Sequence, residues 1–535
     1  MQTRSEQIEQ IVVTAKQMQA IEGRVFEAGM PVAALMEKVA GLIARRIEII
    51  YPKGRAGILV GPGHNGGDAL VVARELHFRG HPVTIYCPFT KLKELTKYHA
   101  RYAESLGIPF YEEIAPLQDC DFLVDGLFGF GLERPIQDPI AGAIKEINQR
   151  SQPVLSIDIP SGLHSDTGQV MGICLRATRT FCLGLWKLGL LQDSTLEYLG
   201  DAELIDFDLP LADIWAVLGN PPAIQRITNT SAIANLPLPR PPAAHKYRLG
   251  HLLLICGSRK YGGAAILAGL GARASGVGML SIAVPESLKS ILNSHLPEAL
   301  IVGCRETENG AIASLPEEID LNSYAAIACG PGLSRDVASL VERVLASSAP
   351  LVLDADGLNI LSQLGAATLL KREAPTILTP HLGEFKRLFP HLTEQLGDRT
   401  RAVEAAARES GAVVVLKGAR VAIAHPNGAI WINPESSAAL ARGGSGDVLT
   451  GLMGGLIAQA ASSSQQTWQG AVLTSVWWHA RAAQLAALER TELGVDAFTL
   501  TQYLLPALPT KNINRSQKPG FLNNTFAKIK NVSIS

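Results

Sequence analysis

The residues best placed for chemistry lie between Arg442 and Gly451, where the chain reads Arg-Gly-Gly-Ser-Gly-Asp-Val-Leu-Thr-Gly. These glycines precede an apolar helical stretch, Val448 to Ile457. A helix opened in this way gathers unpaired N–H groups and the positive end of its dipole at one point, which makes an anion hole. Asp447 stands at the rim, where a carboxylate can take the proton from a hydroxyl as a phosphoryl group arrives. The competing use of the same residues is a glycine-rich cap with Asp447 as capping side chain. Other loops weigh against a cap alone: Gly257 to Ala264, Cys329 to Leu333, Asp354 to Asn359, Thr379 to Phe385, and Leu416 to Ala419. Each follows a strand candidate, so all can line one sheet edge. His381 sits between Pro380 and Gly383, and Lys417 offers a cation for a nucleotide phosphate. Asp354 and Asp356 suit capping of a helix near Leu358 as well as they suit metal or substrate contact.

A second group lies in the first half. Gly61-Pro62-Gly63-His64-Asn65-Gly66-Gly67-Asp68-Ala69 follows a strand and opens a helix, so its backbone can approach a phosphate. It is not a Walker loop, having no Gly-Lys-Ser/Thr, and taken alone it serves equally as a tight strand-to-helix turn. Val124-Asp125-Gly126 and Ile157-Asp158-Ile159-Pro160-Ser161 put two more carboxylates at strand ends, and three such loops on one edge make a pocket. Asn65, Asp125 and Ser161 offer oxygen atoms suited to a hard cation, and Asp158 can handle a proton.

Both groups need strands that end at a common edge, and the chain supplies them. Short β-branched runs alternate with longer helical stretches throughout, the pattern of parallel sheets covered on both faces. The first half offers Ile58 to Val60, Val83 to Tyr86, Phe122 to Val124 and Val154 to Ile157. The second offers Leu252 to Ile255, Leu280 to Val284, Ala325 to Ala328, Leu351 to Leu353 and Val413 to Leu416. Between them Pro221, Pro222, Pro237, Pro239, Pro241 and Pro242 remove backbone donors, which reads as a linker over 221–244. The expected division is a first domain over 1–220, a second over 245–510, and a polar, mildly basic tail over 511–535.

At 535 residues the chain exceeds one ordinary core of about 150 residues. Its 47% hydrophobic and 18% charged content fits a well-buried enzyme. A formal net charge of -1 leaves no electrostatic footprint for nucleic acid or an acidic membrane. The start lacks the apolar core of a secretion signal, and no apolar run is long enough to span a bilayer. The 7 cysteines form no Cys-x-x-Cys pair, which argues against a disulfide framework or a zinc site and for reduced core residues of a cytoplasmic protein.

The first half resembles the NAD(P)H-hydrate epimerase family, whose motifs are Gly-Pro-Gly-Asn-Asn-Gly-Gly-Asp-Gly, Val-Asp-x-Leu-Phe-Gly-Thr-Gly-Leu and Asp-x-Pro-Ser-Gly in that order. The resemblance covers roughly Thr14 to Asp208, with Leu35-Met36-Glu37 early and Lys187-Leu188-Gly189 late. It implies a Rossmann-like fold and a potassium ion (K+) on Asn65, Asp125 and Ser161. It also implies hydrate contacts from His64, Asn65, Gly66, Gly67 and Asp68, from Gly129, Phe130, Gly131, Leu132, Glu133, Arg134 and Pro135, and from Asp158. The departures are His64 for asparagine, Ala69 for glycine and Phe130 for threonine.

The second half, from about His245 to Leu508, resembles the ADP- or ATP-dependent NAD(P)H-hydrate dehydratases, a branch of the ribokinase-like α/β fold. Ala264, Gly332, His381 and Asp447 are then expected on the hydrate, with Asp447 as the base. Lys417, Gly418, Ala419, Arg420, Val421 and Gly446 are expected on the nucleotide. Tyr247 departs from the glycine that commonly follows the His-Lys pair. Together the resemblances imply repair of NADHX and NADPHX. The first domain interconverts the epimers, and the second restores NAD(P)H with ADP, favoured over ATP, and Mg2+. A homo-oligomer is expected. The rival readings are a small-alcohol kinase, since the same hole serves vitamin and sugar kinases, and a first half that only binds.

Overall fold

Residues 3–463 and 466–509 are described by the structure, a computed structural model. The tail bearing Lys511, Arg515, Lys518, Lys528 and Lys530 lies outside the described residues.

In the first half β1 (Ala56–Val60), β2 (Val83–Tyr86), β3 (Phe110–Tyr111), β4 (Phe122–Gly126), β5 (Val154–Ile157), β6 (Arg179–Leu183) and β7 (Asp201–Ile205) form one sheet. Its order is β3-β2-β1-β4-β5-β6-β7, with every neighbouring pair parallel. Ile58, Leu59, Val60, Leu123, Val124 and Leu155 are buried, as strands covered on both faces require. The order reverses between β1 and β4, so a crevice opens beyond their carboxyl ends. Helix α1 (His64–Phe78) starts there.

The second sheet is built from β8 (Ile224–Arg226), β9 (His251–Ile255), β10 (Met279–Pro285), β11 (Leu300–Glu306), β12 (Ile312–Ser314), β13 (Ala326–Cys329), β14 (Leu351–Leu353), β15 (Thr376–Leu378), β16 (Val413–Leu416), β17 (Val421–Ala424) and β18 (Ile430–Asn433). The order is β8-β18-β17-β16-β15-β14-β13-β9-β10-β11-β12. From β16 to β11 the neighbours are parallel, while β17 runs antiparallel to its two neighbours, β16 and β18. The helices that matter for the site are α2 (Gly262–Ser275), α3 (Ala355–Leu364), α4 (Leu382–Leu388), α5 (Arg399–Ser410), α6 (Ser445–Ala461) and α7 (Trp468–Arg490). Helices α2 and α6 touch through glycine, since a Cβ on Gly451 would lie 1.8 Å from the Ala268 carbonyl and one on Gly455 2.1 Å from Ser275 Oγ. The rising register of those contacts shows that the helices run the same way and open at the same edge. The α/β class expected for both halves holds.

The stretch 221–244 is not a free linker, which corrects the sequence reading. Ile224–Arg226 pairs in parallel with β18, and Asn229–Ala234 is a helix with a Thr228 capping box. Thr474 Oγ1 donates to the Ala232 carbonyl at 2.8 Å, and Trp477 Nε1 to Asn229 Oδ1 at 2.8 Å, so α7 holds this helix. The prolines cluster at 221–222 and 237–242, and the proline-free run between them is free to form an edge strand and one short helix.

The two halves also meet here. Ile11 bridges Gln225, the Arg226 N–H donates to the Gln10 carbonyl at 2.8 Å, and Arg226 pairs with Glu9 at 2.9 Å beneath the Trp186 ring. Ile432 of β18 packs in an apolar cluster with Val12, Trp186 and Leu188. No helix among the described residues is long and apolar enough to cross a membrane.

Candidate active sites

A cavity of ≈740 Å³ opens at the carboxyl ends of β1, β4 and β5. His64, Asn65, Asp68, Gly129, Phe130, Gly131, Leu132, Glu133, Arg134 and Asp158 line it, as the sequence predicts. Three expected contacts do not. Gly66 and Gly67 face the protein, where a Cβ would lie 1.9 Å from the Gly61 carbonyl and 2.7 Å from Met36. Pro135 packs beside Gly172. At the two glycines the missing Cβ lets α1 pack closely against the Gly61 carbonyl and Met36.

Asp158 carries φ +67°, a strained value for a residue with a side chain. Its Oδ1 lies 2.6 Å from Lys187 Nζ, and its Oδ2 accepts the Phe130 N–H at 3.2 Å. Lys187 is fully buried, so burial pushes its pKa down, but Asp158 outweighs that and leaves it raised. The Phe130 ring stands 5.7 Å from the same ammonium, so this departure from the family motif lends it a π face. Glu22 also lines the cavity, and burial pushes its carboxyl up to about 7. Asp68 is raised well above the usual range, by desolvation first and then by the charges of Asp158 and Glu22. The floor of the cavity is therefore a cluster of proton-exchanging groups with one fixed cation.

Beneath it Asp125 is fully buried and accepts from Ser161 Oγ at 2.6 Å, Ser161 N at 2.8 Å, Ser156 Oγ at 2.8 Å and Leu127 N at 3.2 Å. Burial raises its pKa despite these bonds, and no ion pair reaches it among the described residues. Asn65 carries a buried amide nitrogen with no partner, and its side chain abuts Gly129. A fixed carboxylate without a counter-charge and a hydroxyl oxygen fit a hard monovalent cation, and Asn65 can add only its amide oxygen, since its unpaired Nδ2 is a donor. No cluster of three or more His, Cys, Asp or Glu side chains suits a metal among the described residues.

In the second half, the loops after β9, β13, β14, β15 and β16 come to one edge. The first turn of α6 is Ser445, Gly446 and Asp447, opened by Gly444 at φ +90°. Asp447 does not cap it, since the turn has no side-chain cap. Burial, and secondarily the charge of Asp354, push the Asp447 carboxyl up to about 7. A Cβ on Gly446 would lie 3.4 Å from Lys417 Nζ, which brings the ammonium to the mouth of the anion hole. Lys417 Nζ is held by Asp354 Oδ1 at 2.6 Å, and Thr450 Oγ1 holds Asp354 Oδ2 at 2.7 Å. Asp354 thus anchors the lysine and does not cap α3 through its side chain. Asp356 accepts from Ser334 N at 3.0 Å and from Asn359 Nδ2 at 3.2 Å.

His381 caps α4, its Nδ1 accepting from Gly383 N at 2.9 Å, so its proton sits on Nε2. Gly332, at φ +63°, has Ala264 beside it, 3.0 Å from where a Cβ would stand. Gly418 and Ala419 lie on an exposed turn. Val421 begins β17 and packs against the core, away from that turn.

Residues 252–506 match the family model described as NAD(P)H-hydrate dehydratase, and residues 32–189 match the one described as YjeF-related protein N-terminus. A bifunctional NAD(P)H-hydrate repair enzyme of Thermosynechococcus vestitus is 53% identical, over 93% of this chain and 97% of that one. Another, of Synechocystis sp., is 52% identical over 93% and 94%. The chain belongs to the bifunctional NAD(P)H-hydrate repair enzymes. Among solved structures, an ADP/ATP-dependent NAD(P)H-hydrate dehydratase from Bacillus subtilis, co-crystallized with ATP/Mg2+, is 36% identical. It covers 52% of this chain and 96% of its own, with a TM-score of 0.46. Membership in this family does not favour the small-alcohol kinase or the non-catalytic first half.

For a hydrate repair enzyme, sequence reading missed Glu22 and the pairing of Lys187 with Asp158. Glu22 lies in an amphipathic helix, Ala15–Glu27, with no motif around it. Lys187 sits in a short motif, but only folding shows what it faces. The anchoring of Lys417 by Asp354 was equally hidden, because the two stand 63 positions apart.

Proposed function

We propose that this chain repairs hydrated NADH and NADPH by two reactions at two sites. The second site phosphorylates the ring hydroxyl of the S hydrate. Asp447 takes the hydroxyl proton as the oxygen attacks the terminal phosphorus of ADP. The phosphoanhydride bond breaks, and AMP leaves. The first-turn N–H groups at Gly446 and the Lys417 ammonium balance the charge that builds on the transferred group. Phosphate then departs with the C–O bond electrons, a proton leaves the neighbouring ring carbon, and the double bond of NAD(P)H returns. Mg2+ accompanies the nucleotide phosphates, since it binds mainly through phosphate, water and few carboxylates.

The first site interconverts the R and S hydrates. Asp158, held by Lys187, is the carboxylate for proton exchange, with Glu22 poised near neutrality beside it. Lys93 and Arg134 line the same cavity and suit the pyrophosphate of a dinucleotide. Asn65, Asp125 and Ser161 hold potassium, which supplies the counter-charge for Asp125.

The observation that carries this reading is the meeting of Lys417, Gly446 and Asp447, a cation, a helix start and a carboxyl near 7, at one point. The experiment supplies purified protein with each hydrate epimer, with and without ADP, and follows NADH absorbance. Recovery from S needs ADP alone, and recovery from R also needs the first site. No ADP-dependent recovery from the S hydrate would overturn the reading.

A further inference from the structure

Arg399, the first residue of α5, ties the two halves of the chain together. Its Nη1 donates to Asp193 Oδ2 at 2.8 Å, and its Nη2 donates to the Leu416 carbonyl at 3.0 Å and the Lys417 carbonyl at 3.2 Å. Asp193 Oδ1 accepts the backbone N–H of Arg420 at 2.6 Å. Asp193 belongs to the first domain, on a short turn over Asp193–Thr195 held by Ser194 Oγ on the Gly168 carbonyl at 3.1 Å. The turn it grips joins β16 to β17. A Cβ on Gly418 would lie 2.6 Å from Asp193 Oδ2 and 2.5 Å from Arg399 Nη2, so the back of that turn is pressed onto the pair. Its front, at Gly418 and Ala419, is open to solvent.

We infer that Asp193 of the first domain is a positioning residue for the nucleotide turn, Lys417 to Arg420, of the second. The inference rests on the reading of that turn as the nucleotide contact. The β16–β17 ladder holds the ends of the turn, and between them Gly418 adds no stiffness of its own, so the contacts at its back set the shape of the tip. Asp193 supplies the anion that satisfies the Arg420 N–H and balances Arg399, whose guanidinium is largely buried. Without it the turn samples other shapes, and apparent affinity falls by the fraction that remains competent. Lys417 Nζ stays tied to Asp354, so the chemical step is unchanged once the nucleotide is seated. The epimerase domain thus holds part of the dehydratase site in shape.

The test uses the full chain. ADP affinity is measured by calorimetry, and steady-state rates with S hydrate are taken for wild type, Lys417→Ala, Asp193→Ala, Asp193→Asn, Arg399→Gln and the Asp193→Ala/Arg399→Gln pair. Asp193→Ala should raise the Kd and KM for ADP about tenfold, the scale of one lost charge-assisted hydrogen bond. Its kcat, its KM for hydrate and its epimerase rate should stay at wild type. Asp193→Asn, which keeps a carbonyl acceptor, should fall between. The pair should bind ADP no more weakly than the worse single, because both remove one link. Wild-type ADP affinity in Asp193→Ala, with Lys417→Ala weakened, overturns the inference and leaves the nucleotide reading standing. Wild-type affinity in both overturns that reading as well. Loss of kcat or epimerase rate alongside affinity shows a general folding role and overturns positioning, as do additive losses in the pair.

Discussion

Lys417 Nζ lies 2.6 Å from Asp354 Oδ1, with Glu384 Oε2 4.0 Å away, beside the first turn of α6. The pair explains how a lysine stays charged in a crowded site. Burial pushes its pKa down, and the two carboxylates more than restore it. Its remaining donors are then free for an arriving phosphoryl group.

Lys417→Ala should therefore lower the dehydratase kcat/KM for ADP by about 10²-fold or more, the cost of losing one preorganised charge donor. Epimerisation should be untouched. Parallel assays of the two half-reactions on one preparation check both statements, and an equal fall in both rates would contradict the assignment.

Asp447→Asn should slow dehydration by about 10²–10⁴-fold, since an amide cannot take the hydroxyl proton. With a carboxyl pushed up to about 7, the wild-type single-turnover rate should rise with pH and level off above that value. The stability sign follows from the same shift. The folded protein holds the proton more tightly than the unfolded chain, so stability falls as pH rises from the ordinary carboxylate range of about 4 through about 7. Asp447→Asn removes that fall and should melt higher than wild type at pH 8. Melting curves at pH 5 and pH 8 decide it.

Lys187→Met should abolish epimerisation and destabilise the first domain by about 3–5 kcal/mol, because the buried Asp158 loses its cation. Adding Asp158→Asn should recover most of the stability and none of the activity. Denaturant unfolding of both variants separates these outcomes, and a double variant as unstable as the single would deny the pairing its role.

Asp125→Ala should remove the potassium dependence of epimerisation together with its rate. The full chain is supplied with pure R hydrate and ADP, and NADH absorbance is followed with potassium and then with sodium in its place. A wild-type rate that ignores the exchange would remove the cation from the first site.

A second domain begun at His245 lacks β8 and the Asn229–Ala234 helix and bares Trp477, whose apolar cluster includes Ile227, Ala232 and Leu236. It should be insoluble or bind a hydrophobic dye strongly, whereas one begun at Pro221 should fold. Circular dichroism of the two fragments checks the boundary. Equal folding would restore the proline stretch as a linker.

The sequence by itself determined that two parallel-stranded α/β units are present, and it named the loops that hold Asp158, Lys417 and Asp447. Those facts are local. Short apolar strand runs between helical stretches, glycine before a helix and a carboxylate at a strand end are set by neighbouring residues. What faces what was not local. Gly66 and Gly67 give α1 its close packing and Val421 packs against the core, contacts that helix and strand placement decides. Glu22, Asp158 and Lys187 come from three separated segments and meet only in the fold, where Val12–Val13 pairs with Trp186–Lys187 and brings Lys187 to Asp158. Asp193 and Arg399, 206 positions apart, meet only because the two domains pack against each other. Spacing along a chain carries no record of such contacts, since they depend on how whole sheets and helices are placed.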